Sequence, residues 1–169
     1  MDPIKIFMDN WSLVIATLAL AVSLYSAYLS RKVFIHTSRP YVWASNYGVI
    51  DQKSKNLISI PHRLAYRIKN SPAKIQFICV RLTLGDQEIL NHTEKNFVRF
   101  PDDSSEWSFS IGEDEFKTIL EKQRSSSSQL LRNIFVKYTS LNGGEKYEYH
   151  LKQEFIPADN QWKDIESQS

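Results

Sequence analysis

Apolar and polar positions follow two different rhythms along this chain, and the change between them divides it. From Trp11 to Ser30 there are 20 uncharged residues in succession, bounded by Asp9 on one side and Arg31-Lys32 on the other. At about 1.5 Å per residue such a helix is roughly 30 Å long, the thickness of a bilayer's hydrocarbon layer. Trp11, Tyr25 and Tyr28 fall towards its ends, where amphipathic rings suit the interface. A cleavable signal would begin with a basic segment and carry a shorter apolar core. Here MDPIKIFMDN holds two Asp and one Lys, and apolar sequence runs on past Ala19-Leu20-Ala21. The pattern predicts a retained transmembrane helix over residues 11–30 after a short tail, 1–10.

Past residue 40 the rhythm shortens to alternation. Tyr41, Trp43, Tyr47 and Val49 alternate in PYVWASNYGVI, and Leu64, Tyr66 and Ile68 alternate with Arg63, Arg67 and Lys69 in HRLAYRIKN. KIQFICVRLTL is apolar on both faces, so it reads as a strand central to its sheet. Gly85-Asp86 turns the chain towards QEIL, and NFVRF and EWSFSI give two further short strands. QLLRNIFVKYTSL and EKYEYHLKQEF flank the hairpin signal Asn142-Gly143-Gly144. Phe116, Ile119 and Leu120, following Glu113-Asp114-Glu115, predict one short helix with an acidic first turn. About eight short strands in one domain-sized segment predict an all-β, immunoglobulin-like antiparallel sandwich over residues 40–157, with a small barrel as the alternative and 158–169 as a polar tail.

Charge changes the picture twice. The net of +2 hides an uneven distribution: residues 31–81 hold ten Lys/Arg and one acid, residues 82–121 three Lys/Arg and ten acids. Beside the helix, Arg31, Lys32, Arg39 and a protonatable His36 form the basic juxtamembrane segment 31–39. The positive-inside rule then puts the C-terminal domain in the cytoplasm and the N-terminus outside. The lone Cys79 forms no intramolecular disulfide, in keeping with a reducing compartment, and within Phe77-Ile78-Cys79-Val80 it reads as a core residue. Pro40 lacks a backbone donor and disfavours helical angles at Arg39, so the helix should end near Thr37 or Ser38.

Within the helix, Ser12, Ala16, Ala19, Ser23, Ser26 and Ser30 are spaced 4, 3, 4, 3 and 4 apart. This is a heptad seam of small residues, the kind of face along which helix backbones approach closely in lipid. It predicts homo-oligomerisation, and meeting serines would line a narrow polar path.

Ser38-Arg39-Pro40-Tyr41-Val42 after a single helix, Asn70-Ser71-Pro72-Ala73 before a strand, and the Tyr-rich final hairpin of Lys137-Tyr138 with Tyr147-Glu148-Tyr149 resemble a broad group of bacterial membrane proteins. In that group a helix, a Ser/Thr-Arg-Pro-Tyr junction and an immunoglobulin-like domain follow in order. The layout is also similar to small membrane effectors of phage-defence operons, the Hailong type among them. The resemblance implies a single-pass membrane protein, with a membrane effector as one possibility; together with the charge pattern, the expectation is a bacterial inner-membrane effector held inactive by a cytosolic partner or ligand. A plain anchor or scaffold for a cytosolic complex is the alternative.

No catalytic constellation appears in the sequence. His36, His62, His92 and His150 are scattered, and there is no glycine-rich phosphate loop, nucleophile elbow or zinc-type cysteine pair. Asp102-Asp103-Ser104-Ser105-Glu106 lacks the spacing of a calcium loop and reads as an acidic turn. The expectation is a non-enzymatic protein without cofactor or metal. Binding is expected on the cations Arg63, Arg67 and Lys69, with Lys74 just beyond the turn. Their partner would be anionic lipid, a nucleotide or single-stranded nucleic acid, or an acidic protein surface.

Overall fold

A computed structural model describes residues 10–53, 55–101, 107–141 and 144–168; the side chains of Ser12, Ile35 and His36 lie outside that description. The N-terminal tail, the acidic turn 102–106 and Asn142-Gly143 of the expected hairpin likewise lie outside the described residues. Contacts divide the chain into two compact units, Met1–Arg39 and Pro40–Ser169.

The first unit is helix α1, Trp11–Thr37. Its segment Leu13–Phe34 is long and apolar enough to cross a membrane, and none of it is buried against protein. The helix stops at the expected place. Ser38 N and Oγ both donate to Phe34 O, at 2.9 and 2.6 Å, closing the last turn before Pro40.

The second unit is a two-layer antiparallel sandwich. Its strands are β1 (Tyr41–Ile50), β2 (Leu57–Lys69), β3 (Ala73–Leu84), β4 (Gln87–Arg99), β5 (Ser108–Ser110), β6 (Leu130–Ser140), β7 (Lys146–Ile156) and β8 (Gln161–Gln168). One sheet has the order β1-β2-β5 and the other β4-β3-β6-β7-β8. Two open sheets with strands crossing between them make the immunoglobulin-like sandwich and set aside the barrel. The inward positions of β3 and β6, from Ile75, Ile78, Val80 and Leu82 to Leu130, Ile134 and Val136, are fully buried against Val42 and Leu64 of the smaller sheet. Helix α2, Glu113–Ser126, joins β5 to β6 and seats Phe116 between Phe155 and Trp162, with ring centroids 5.7 and 6.5 Å away.

Three expectations need correction. QEIL and NFVRF are not separate strands: β4 runs unbroken from Gln87 to Arg99. The polar stretch between them looked like a break because it lacks an apolar set. Its backbone nevertheless pairs with β3 throughout, and at a sheet edge His92 and Glu94 can face inward while still reaching water. Residues 161–168 are not a polar tail but the edge strand β8. A single apolar anchor holds it: Trp162 is 3 % exposed, and its Nε1 donates to Pro61 O at 2.8 Å. Cys79 is not core. A bulge at Gln76 shifts the alternation of β3, so Phe77 and Cys79 face outward, where they line an open depression of about 500 Å³ with Arg81, Asn133, Phe135 and His150.

The interior also holds a charge that the sequence did not announce. Arg132 of β6, 2 % exposed, donates from Nε to Gln153 Oε1 at 2.9 Å and from Nη2 to Asn46 Oδ1 at 3.0 Å. Its guanidinium lies 4.2 Å above the Trp162 ring, and Gln153 Nε2 donates onward to Asp164 Oδ1 at 2.7 Å. Burial pushes this guanidinium down to about 9, which leaves it charged at neutral pH. Asn46 Nδ2 also donates to Trp162 O at 2.9 Å, so the cluster ties β1 of one sheet to β8 of the other.

Candidate functional site

The outward face of the small sheet gathers a distinct set of side chains. On β2, Leu64 and Tyr66 are buried, which turns Arg63, Arg67 and Lys69 outward. On β1, Val42 and Ala44 are buried, which turns Tyr41, Trp43 and Tyr47 to the same outward side. The register interleaves the two sets: Tyr41 pairs with Lys69 and Trp43 with Arg67. Tyr41, Trp43 and Tyr47 do form one alternating set, and they face out because the smaller Val42 and Ala44 pack the interior. Three cations and three aromatic rings thus share one face, and its strand positions carry no acidic residue.

The members differ in freedom. The guanidinium of Arg63 lies 4.1 Å over the Tyr47 ring, and its Nη2 donates to Ser108 Oγ at 3.3 Å. Arg63 is therefore half-buried and fixed rather than free in solvent. Tyr41 and Trp43 lie against each other, 5.4 Å between centroids. Arg67 and Lys69 are exposed. Lys74, expected beside them, belongs to β3 of the other sheet, where Ala73 and Ile75 take the inward positions and leave it outward on the opposite side of the sandwich.

Strand β5 pairs with β2 only over Arg63–Ala65, so the far end of the β1–β2 hairpin is a two-stranded ribbon. It exposes four aliphatic residues, Val49, Ile50, Leu57 and Ile58, with Leu57 open to 73 % and Ile50 to 65 %. Its turn is shaped by Asp51, whose side chain accepts from Lys53 N at 3.2 Å and whose carbonyl accepts from Lys55 N at 2.8 Å. Lys53 and Lys55 are exposed on that turn. The two strands approach closely at Gly48, where a Cβ would stand 3.0 Å from a Leu57 methyl and 3.2 Å from Ile58 O.

In α1 the seam residues Ser12, Ala16, Ala19, Ser23, Ser26 and Ser30 lie on one unbroken helix. At 100° per residue they fall within an arc of roughly 80°. Thr17 is off this arc and spends its hydroxyl on the helix's own carbonyls, donating to Val14 O at 2.8 Å. Arg31 and Lys32 are exposed on the last turns of α1, and Arg39 follows in the link to Pro40.

Among the described residues no three His, Cys, Asp or Glu side chains converge to hold a metal ion. The inward pair His92 and Glu94, 3.1 Å apart, stands alone in that respect. No family model, curated protein or solved structure shows significant similarity to the chain.

Proposed function

We propose that this chain is a non-enzymatic, single-pass protein of the bacterial inner membrane, with its N-terminus outside and the sandwich in the cytoplasm. In this reading α1 anchors and also assembles copies through its small-residue seam, while the sandwich binds a partner through the basic, aromatic face. One observation carries it: residues 11–30 carry no charge, the span Leu13–Phe34 is wholly unburied, and Arg31, Lys32 and Arg39 gather at its C-terminal end. An all-round apolar helix in water has no other face to bury. The seam supports the effector variant, in which assembly breaches the membrane, over a simple anchor.

The test is a pair of double variants. Ser23→Leu with Ser26→Leu fills the seam while leaving insertion intact, since Leu is favourable at mid-membrane. Val14→Leu with Val22→Leu places the same bulk off the seam. Cross-linking between copies at Ala19→Cys should fall for the first pair and persist for the second, and depolarisation of overexpressing cells should follow it. Equal cross-linking in both pairs would reduce α1 to an anchor. A C-terminal reporter active only in the periplasm would invert the topology.

A further inference from the structure

We infer that the outward face of the β1–β2–β5 sheet, with the aliphatic ribbon at its end, rests on the anionic surface of the bilayer that α1 crosses. The inference builds on the membrane-spanning reading of α1 and names the partner of the face. Three observations carry it.

First, the composition of the face matches an interfacial layer. Tyr and Trp prefer the headgroup level, and basic side chains gain from anionic lipid. Tyr41, Trp43 and Tyr47 interleave with Arg63, Arg67 and Lys69 here, with no acid among them. Second, past a register shift between Asn46 and Gly48 the same two strands form the ribbon, whose pairs Val49–Ile58 and Ile50–Leu57 are exposed on its two sides, with Lys53 and Lys55 at its turn. Aliphatic side chains flanked by lysines suit the boundary between headgroups and acyl chains. They have no counterpart on a phosphodiester chain.

Third, the rings are poorly placed for bases. Sequence-tolerant binding of single strands needs open ring faces for stacking. Tyr47 already carries the Arg63 guanidinium on its face, and Tyr41 and Trp43 lie against each other. The link is also short: β1 begins at Tyr41, four residues after α1 ends at Thr37. A bilayer entered by α1 is therefore present at high effective concentration.

The test uses the full chain in lipid nanodiscs. Leu57→Cys, in a Cys79→Ser background, carries a polarity-sensitive fluorophore at the most exposed ribbon position. In phosphatidylcholine discs containing a third phosphatidylglycerol the emission should shift to the blue, and in phosphatidylcholine alone the shift should be much smaller. Removing two charges with Arg67→Gln and Lys69→Gln should lower the ratio of docked to undocked domains about 30-fold. Lys95→Gln with Lys152→Gln on the other sheet should leave it unchanged.

An unshifted probe in both lipids, or equal loss with both variant pairs, overturns the inference. So does a shift that appears only when a single-stranded oligonucleotide is added, which would assign the face to nucleic acid. A chain that fails to stay in the discs would instead defeat the membrane-spanning reading itself, a separate result scored by disc retention before any emission is read.

Discussion

The two sheets of the sandwich treat their outward charges in opposite ways. On the five-stranded sheet two cations meet carboxylates across the strand pairs: Arg81 meets Glu88 at 2.8 Å, and Lys137 meets Glu148 at 2.7 Å. On the three-stranded sheet Arg67 and Lys69 face outward with rings, not carboxylates, across the strand pair. The larger sheet also closes the domain, through Arg132 and Trp162, while the smaller ends in an aliphatic ribbon that nothing in the sandwich covers. Ion pairs across strands serve solubility, and exposed cations that face rings beside exposed apolar groups mark a surface kept for something else. Stability should therefore depend on the five-stranded sheet and binding on the outward side of the three-stranded one.

Trp162→Ala tests that division most severely. It removes a ring packed on Phe116, Phe155 and Arg132 together with the hydrogen bond to Pro61 O. Thermal unfolding in detergent should show a loss of about 3–5 kcal/mol. Below the new midpoint, docking of the ribbon should be unchanged, and a docking defect in the folded protein would erase the division.

Tyr66→Phe probes neighbouring positions on opposite sides of β2. Tyr66 is 3 % exposed, and its hydroxyl has no hydrogen-bond partner. Replacing it should raise stability by about 1 kcal/mol, because an unpaired buried hydroxyl costs desolvation without return. Burial also holds the phenol above its ordinary value, with Glu94 adding to the rise. In the folded state it stays neutral while the unfolded chain's tyrosine ionises from about pH 10. That contribution to stability is complete below about pH 10 and lost as pH climbs further, so Tyr66→Phe should resist alkaline unfolding better than the parent. Arg67→Gln, one residue away and facing out, should leave the unfolding curve in place.

The smallest effect belongs to the paired face. Lys137→Gln breaks an exposed ion pair and should cost under about 1 kcal/mol, with no change in docking. A larger loss of docking here than at Arg67 would reverse the roles of the two faces.

Much of the architecture was legible because alternation is a local signal. The strands around Val42, Leu64, Ile78 and Ile134, the short helix under Phe116, and the end of α1 before Pro40 all follow from residues within a few positions of one another. Long-range pairing was not legible. Edge strand β4 keeps its continuity through the ladder with β3, and β8 is recruited by one tryptophan, so neither carries a period of its own. At the face the cations of β2 could be placed from their alternation. Their aromatic companions could not, because Ala44 and Val42 took the core positions that Trp43 and Tyr41 suited by size. Lys74 was misplaced for a related reason: Asn70-Ser71-Pro72 carries the chain across to the other sheet, and nearness in sequence became distance in space.

Arg132 has a consequence for the alternatives that the chain must reject. It stands directly opposite Gln153 in the register of β6 and β7, and Asn46 meets both from the other sheet. A slip of one residue between those strands would exchange inward and outward side chains along one of them. Arg132 or Gln153 would then leave the interior, breaking the bond between them and leaving its companion with fewer of the polar partners it needs there. An apolar substitute such as Met at 132 would escape that penalty and tolerate the slipped pairing more readily. The guanidinium therefore acts as a key to a single alignment of the final hairpin, one that an apolar core of equal volume would leave open to misreading.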